Sequence, residues 1–264
     1  MPPKKPTPKP KKLTPLQRRR IAEQQFTRAR AAEKSFQRQL VAVAKKVGTL
    51  VDGMAPGGKV KNVSELTTML NRYAELIRPW ARAVTERMHE QVKKRDLGTW
   101  TELSKEMARS LRKELRTAPT GELFRTALSE QVHLITSLPT EAAQRIHKLT
   151  TEGLMNSTRA SEIEKEIMKS GQVTIGRAKL IARTETSRTA ALLQESRARY
   201  IGSTHYVWHT VHDSDVRAEH RKLDGKTFAW KNPPVAGTDG MRYHPGQGPN
   251  CRCYAEPIIP DVIR

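Results

Sequence analysis

Helical periodicity runs from Leu16 to Tyr200 with few breaks and stops at Gly202. Apolar residues recur there at steps of three and four, the spacing of one helix face. After Gly202 the pattern changes to short alternating runs separated by Gly and Pro. A chain ordered in this way packs helices first and a small sheet second. The expected class is α+β, mostly α-helical. It comprises a disordered basic arm over residues 1–15, a long basic amphipathic helix with its linker over 16–60, a helical body over 61–202 and a small C-terminal β-containing cap over 203–264.

Within that frame the punctuation residues set expected boundaries. Phe26, Ala29, Phe36, Leu40, Val43, Val47 and Leu50 form a heptad-like stripe, and Gly53, Pro56, Gly57 and Gly58 break it. Asn62 or Ser64 caps a helix running to about Asp96, kinked at Pro79 and ended by Gly98. Thr99 to Glu102 reads as a capping box for a helix to about Thr117. Pro119 and Pro139 bracket another helix, and residues 140–156 and 158–170 give two more, with Gly171 as the residue past the last turn. A final long helix covers residues 174–200. In the cap, residues 204–211, 226–230 and 251–259 read as strands, with a short helix over 215–222 that Asp215 caps.

Charge is distributed one-sidedly. The net charge is +21, and no acid precedes Glu23. Residues 1–46 hold fourteen Lys and Arg against two Glu, so +12 of the total lies there. Such a segment seeks polyanions, because each neutralised phosphate releases counterions. Lys4, Lys5, Lys9, Lys11, Lys12, Arg18, Arg19, Arg20, Arg28 and Arg30 are the candidate DNA contacts. An anionic membrane suits the arm less well, since it offers no aromatic or leucine-rich face to insert. No uncharged apolar run approaches the ~18–20 residues of a membrane span, and no apolar stretch follows the basic N-terminus as in a secretory signal. Two cysteines exclude a disulfide framework and suit a reducing compartment.

Both cysteines, Cys251 and Cys253, lie two apart, which on a strand turns both side chains to one face. A disulfide at that spacing is strained, so two reduced thiols are expected. They either fill a thin core as small apolar groups or, with His220 and His244, form a tetrahedral zinc site. No other cofactor is expected.

Several separated motifs occur in one order. They are Ala182-Arg183-Thr184-Glu185-Thr186 on the long helix; then Trp208; then Asp213, Arg217, His220, Leu223, Asp224 and Gly225; and finally Asn250-Cys251-Arg252-Cys253. Over about residues 140–258 this resembles the phage head morphogenesis family, the Mu F-like minor capsid proteins. The resemblance implies a structural, non-enzymatic minor head protein inside the capsid near the portal, made in the host cytoplasm. Its implied partners are the portal protein, packaged double-stranded DNA and a scaffold or major capsid protein, with roles in procapsid assembly and DNA packaging or ejection.

Arg183, Glu185, Trp208, Asp213, Arg217, His220, Asp224 and Gly225 are then expected to hold the fold. Glu185 would pair with Arg188 or Arg217, and Trp208 and Trp230 would form core. The alternative is a metal-dependent nuclease or toxin-like enzyme using His209, His212, Asp213, Asp215 and His220, a crowded segment of the kind that activates water on a metal. It lacks any recognised nuclease spacing.

Overall fold

Thr14, Pro15 and Gln17 start the first helix. The Gln17 amide donates to Thr14 Oγ1 at 3.3 Å, and the Thr14 amide donates to Gln17 Oε1 at 2.9 Å. This reciprocal pair satisfies two donors that a helix start otherwise leaves open, and proline suits the position after the cap. The structure is a computed structural model and describes residues 14–56, 59–104 and 120–259. Residues 105–117 of the helix expected after the Thr99–Glu102 capping box, Pro119 and nearly all of the 1–15 arm lie outside them.

The helices are α1 (Pro15–Gly53), α2 (Val63–Leu76), α3 (Arg78–Ser104), α4 (Gly121–Met155), α5 (Ala160–Met168), α6 (Ser170–Tyr200) and α7 (Ala218–Leu223). The strands are β1 (His205–His209), β2 (Thr227–Ala229) and β3 (Tyr254–Pro257), in one antiparallel sheet of order β2-β1-β3. The class is α+β and mostly helical, as the periodicity predicts. None of the described helices is long and apolar enough to cross a membrane.

Two compact units share these elements. One contains the described parts of Met1–Arg30, Val92–Thr120 and Ser187–Arg264, the other those of Ala31–Gln91 and Gly121–Thr186. The second unit has an all-helical core of Val47, Val51, Leu66, Leu70, Ala142, Ala143, Ile146 and Ile167. α2 enters it because Asn62 Oδ1 accepts the Glu65 amide at 3.0 Å, and Leu66, Leu70 and Ala74 then fall on one buried face. In the first unit Trp100, Ala198, Ile201, Tyr206, Trp208, Trp230, Cys251 and Cys253 share a core, so both cap tryptophans are core residues.

Five expected breaks and caps fall differently in the structure. The break near Pro79 falls at Ile77, and Pro79 occupies the first turn of α3, where its missing amide costs little. Gly98 does not end α3, because Asp96, Thr99 and Trp100 around it are all buried. The Thr99 hydroxyl donates back to the Arg95 carbonyl at 3.2 Å instead of capping a new helix. Pro139 lies inside α4, where Ile135, Leu138, Ala142 and Ile146 carry one buried stripe across it. Gly171 lies inside α6 against Gly48 of α1; a Cβ there would sit 2.8 Å from the Gly48 Cα.

Gly202 does close α6, at φ 85°, with the Ser203 amide reaching back to the Ala198 carbonyl at 2.9 Å. The cysteines precede β3 rather than lying in it. The short helix starts at Ala218 after Arg217, so Asp215 is not its cap.

Candidate functional site

The cap is tied together by the residues that the motifs single out. Tyr206 and Trp208 of β1 point into the core, fully buried. Asp224 and Gly225 form the turn into β2. Gly225, at φ 74°, donates its amide to the Trp208 carbonyl at 2.8 Å, and Asp224 Oδ1 accepts the Thr210 amide at 2.7 Å. These contacts fix the register of β1 from one side.

The loop 249–253 is stapled from the other side. Arg252 Nη1 lies 2.6 Å from Asp213 Oδ2, and its Nη2 lies 3.0 Å from Asp215 Oδ2. This forked guanidinium contact explains what Asp215 does in place of capping. Arg217 Nη2 donates to the Pro249 carbonyl at 2.6 Å rather than pairing with Glu185. With Arg252 held outward, Cys251 and Cys253 turn inward, so the period-two reasoning holds although the strand begins one residue later.

Inside, both thiols meet His220. Its Nδ1 lies 3.7 Å from Cys251 Sγ and 3.4 Å from Cys253 Sγ. Its Nε2 donates toward the Ala236 carbonyl and the Tyr243 hydroxyl oxygen, both at 3.2 Å, while Tyr243 donates its own proton to Ala236 at 2.9 Å. These partners place the ring proton on Nε2 and leave the Nδ1 lone pair facing the sulfurs. The Gly246 amide points at Cys251 Sγ from 3.4 Å. The buried indole N–H of Trp208 makes no hydrogen bond. The cysteines are free thiols. The hydrogen bond from Cys253 holds the Cys251 thiol well below its ordinary value, and the same bond together with burial pushes Cys253 up. Cys251 is thus the more acidic partner of the pair.

His244 does not join this cluster. Its Nδ1 is 3.0 Å from the Tyr206 hydroxyl and its Nε2 is 3.7 Å from Glu195. Burial lowers its pKa, consistent with a neutral ring between these partners. The remaining His and Asp residues of the nuclease alternative disperse as well. His209 bonds Glu256 at 2.8 Å, His212 lies 3.5 Å from Asp224, and Asp213 and Asp215 hold Arg252. Among the described residues, the grouping of His, Cys, Asp and Glu that could hold a metal is His220, Cys251 and Cys253.

In the other unit Glu185 is buried and accepts from Gln131 Nε2 at 3.1 Å; Gln131 Oε1 lies 2.6 Å from His89 Nε2. Burial depresses the His89 pKa, so its neutral ring donates to Gln131 and the three residues form a chain of hydrogen bonds. Arg183 Nε lies 3.5 Å from Glu33.

On α1, Arg19, Arg20 and Arg30 are exposed and Arg18 is half-buried. Arg19 Nη2 also lies 3.1 Å from His212 Nε2. Lys4, Lys5, Lys9, Lys11, Lys12 and the Arg28 side chain lie outside the described residues. Sequence reasoning gives Arg252 and Tyr243 no role in the site, although both contribute to it. A basic residue between two inward cysteines, opposite Asp213 and Asp215, is the available signal for Arg252; Tyr243 has none.

Residues 144–256 match the family described as Phage Mu protein F like protein. A Haemophilus influenzae protein described as uncharacterized is 29% identical over 160 residues, covering 60% of this chain and 35% of its own length. Minor head protein GP7 of Bacillus phage SPP1 is 25% identical over 160 residues, covering 55% of this chain and 52% of its own length. The chain thus spans about a third and about half of these relatives. No solved structure matches it. The family match and the relative from phage SPP1 support the phage head morphogenesis family that the motifs resemble.

Proposed function

We propose that this chain, Mu F-like over residues 144–256, is a structural protein of a phage head. Its folded part docks near the portal on the inner side of the capsid, and its basic N-terminal segment holds DNA through phosphate contacts. It acts in procapsid assembly and in DNA packaging or ejection, with scaffold or major capsid protein as further contacts during assembly in the host cytoplasm. The observation that carries the reading is the family match, over the same stretch in which the motif residues hold the cap together. The charge supports the DNA contact independently: an N-terminal segment with +12 over 46 residues is drawn to packed phosphate whatever the base sequence.

Under this reading the motif residues keep the cap in shape and carry no chemical step. The nuclease alternative loses support because His209 and His212 are held by Glu256 and Asp224, while Asp213 and Asp215 are both taken up by Arg252.

Quantitative mass spectrometry of purified particles, normalised to the major capsid protein, tests the role. A few copies per particle is the expected result. Absence from both full heads and empty procapsids would overturn it. For the DNA contact, deleting residues 1–20 should weaken DNA binding and flatten its salt dependence while leaving the circular dichroism of the body unchanged. Unaltered affinity after the deletion would remove the arm from the mechanism.

A further inference from the structure

We infer that the cap holds one Zn²⁺ ion through Cys251 Sγ, Cys253 Sγ and His220 Nδ1, as a structural staple between its last loop and α7.

Three observations carry this beyond the presence of the residues. The first is metric. Zn–S bonds of ~2.3 Å and a Zn–N bond of ~2.0–2.1 Å at the tetrahedral angle require an S···N edge of about 3.6 Å. The two edges observed are 3.7 and 3.4 Å, and all three donor atoms lie within 4.8 Å of one another. The imidazole nitrogen therefore already stands at about a ligand edge from each thiol.

The second is the surrounding hydrogen bonding. A metal-bound histidine commonly donates its other ring N–H to a carbonyl or similar acceptor, which fixes the tautomer and aims the lone pair. His220 Nε2 does this toward Ala236 and Tyr243. Cys251 Sγ is met by a donor, the Gly246 amide at 3.4 Å.

The third is charge. His220, Cys251 and Cys253 are 2, 2 and 3% exposed. A lone thiolate in such a place is costly, as is a lone cation. Zn²⁺ with two thiolates and one neutral imidazole is neutral as a set, so the occupied site leaves no uncompensated charge. On binding, the sulfurs release the protons they hold to solvent, and each donates a lone pair to the ion. No fourth His, Cys, Asp or Glu joins the three among the described residues. The last corner is therefore assigned to a solvent oxygen. Burial of all three side chains makes the ion a structural rather than a substrate-facing one.

The position explains what such an ion would do. It joins α7 to the loop that leads into β3, with a thin core of Trp208 and Trp230 beneath. A small unit with so little apolar material gains stability from a metal that binds only the folded form.

The test uses the full chain without a polyhistidine tag, produced in zinc-supplemented medium and purified without chelator. Elemental analysis should find about one zinc per chain. Cys251→Ser, Cys253→Ser and His220→Ala should each lower the content at least about tenfold, while His244→Gln should leave it unchanged. Should those variants fail to fold, the wild-type protein alone decides. After zinc is stripped, Co²⁺ should produce a thiolate-to-cobalt charge-transfer band with the intense visible bands of a four-coordinate site, and Zn²⁺ should erase them. Wild-type protein with neither zinc nor the cobalt spectrum would overturn the inference. So would zinc fully retained in a folded Cys251→Ser, Cys253→Ser double variant.

Discussion

Arg197 and Asp96 form a buried ion pair, their side chains 4 and 2% exposed. Burial raises the Asp96 carboxyl to about 6, against the pull of the Arg197 charge. The folded state therefore holds a proton more tightly than the unfolded chain between the ordinary value of 3.8 and about 6. The contribution of this group to stability is fully present below that window and is lost as the pH rises through it. Arg197→Met strands the carboxylate and should cost about 3–5 kcal/mol at pH 8. The deficit should shrink at pH 5, where Asp96 can take up a proton, and urea midpoints at the two pH values would measure it. Pairings of this kind are not legible in sequence. Asp96 and Arg197 are 101 residues apart, and Arg252 finds Asp213 and Asp215 at separations of 39 and 37. The inward face of Cys251 and Cys253 is legible, because it depends only on a local alternation. Residue type alone points to His244 as a ligand, whereas Tyr206 and Glu195 hold it elsewhere.

Among the elements, two glycines illustrate how far local signals reach. Gly98 and Gly171 both read as helix ends, and both lie within helices. Gly98 has open space where a Cβ would stand, so Gly98→Ala should stabilise the protein by up to about 1 kcal/mol through helix propensity alone. At Gly171 the same change presses a Cβ to 2.8 Å from the backbone of Gly48. Overpacking of that kind costs about 1–3 kcal/mol, which exceeds the propensity gain, so Gly171→Ala should destabilise. Thermal midpoints of the two variants should move in opposite directions. The stripe of Phe36, Leu40, Val43 and Val47 is legible, and all four are buried. Pro139 misleads, because the apolar spacing on either side of it keeps one phase and α4 runs through. Short-range breakers lose where a continuous buried face continues beyond them.

For the whole molecule, the most legible property is its charge. If Arg18, Arg19 and Arg20 neutralise phosphates, replacing all three by Gln should reduce the slope of log affinity against log salt by about 0.9 for each phosphate no longer neutralised. Titrations with duplexes of unrelated sequence should give the same slopes. The grouping of distant stretches into units has no local signature, since it rests on long-range packing. It has a consequence for the order of events on the ribosome. The unit built from Ala31–Gln91 and Gly121–Thr186 has all its parts once Thr186 has emerged. The other unites the described parts of Met1–Arg30, Val92–Thr120 and Ser187–Arg264, and its central strand β1, which meets β2 once Ala229 is made, lacks its second neighbour until Pro257 is made. Translation at about 5–20 residues per second puts several seconds between these two moments. The described part of Met1–Arg30 is made before Ala31–Gln91, yet it finds its native neighbours only after that other unit has all its parts, and during that interval its cationic side chains meet whatever polyanion the cell presents.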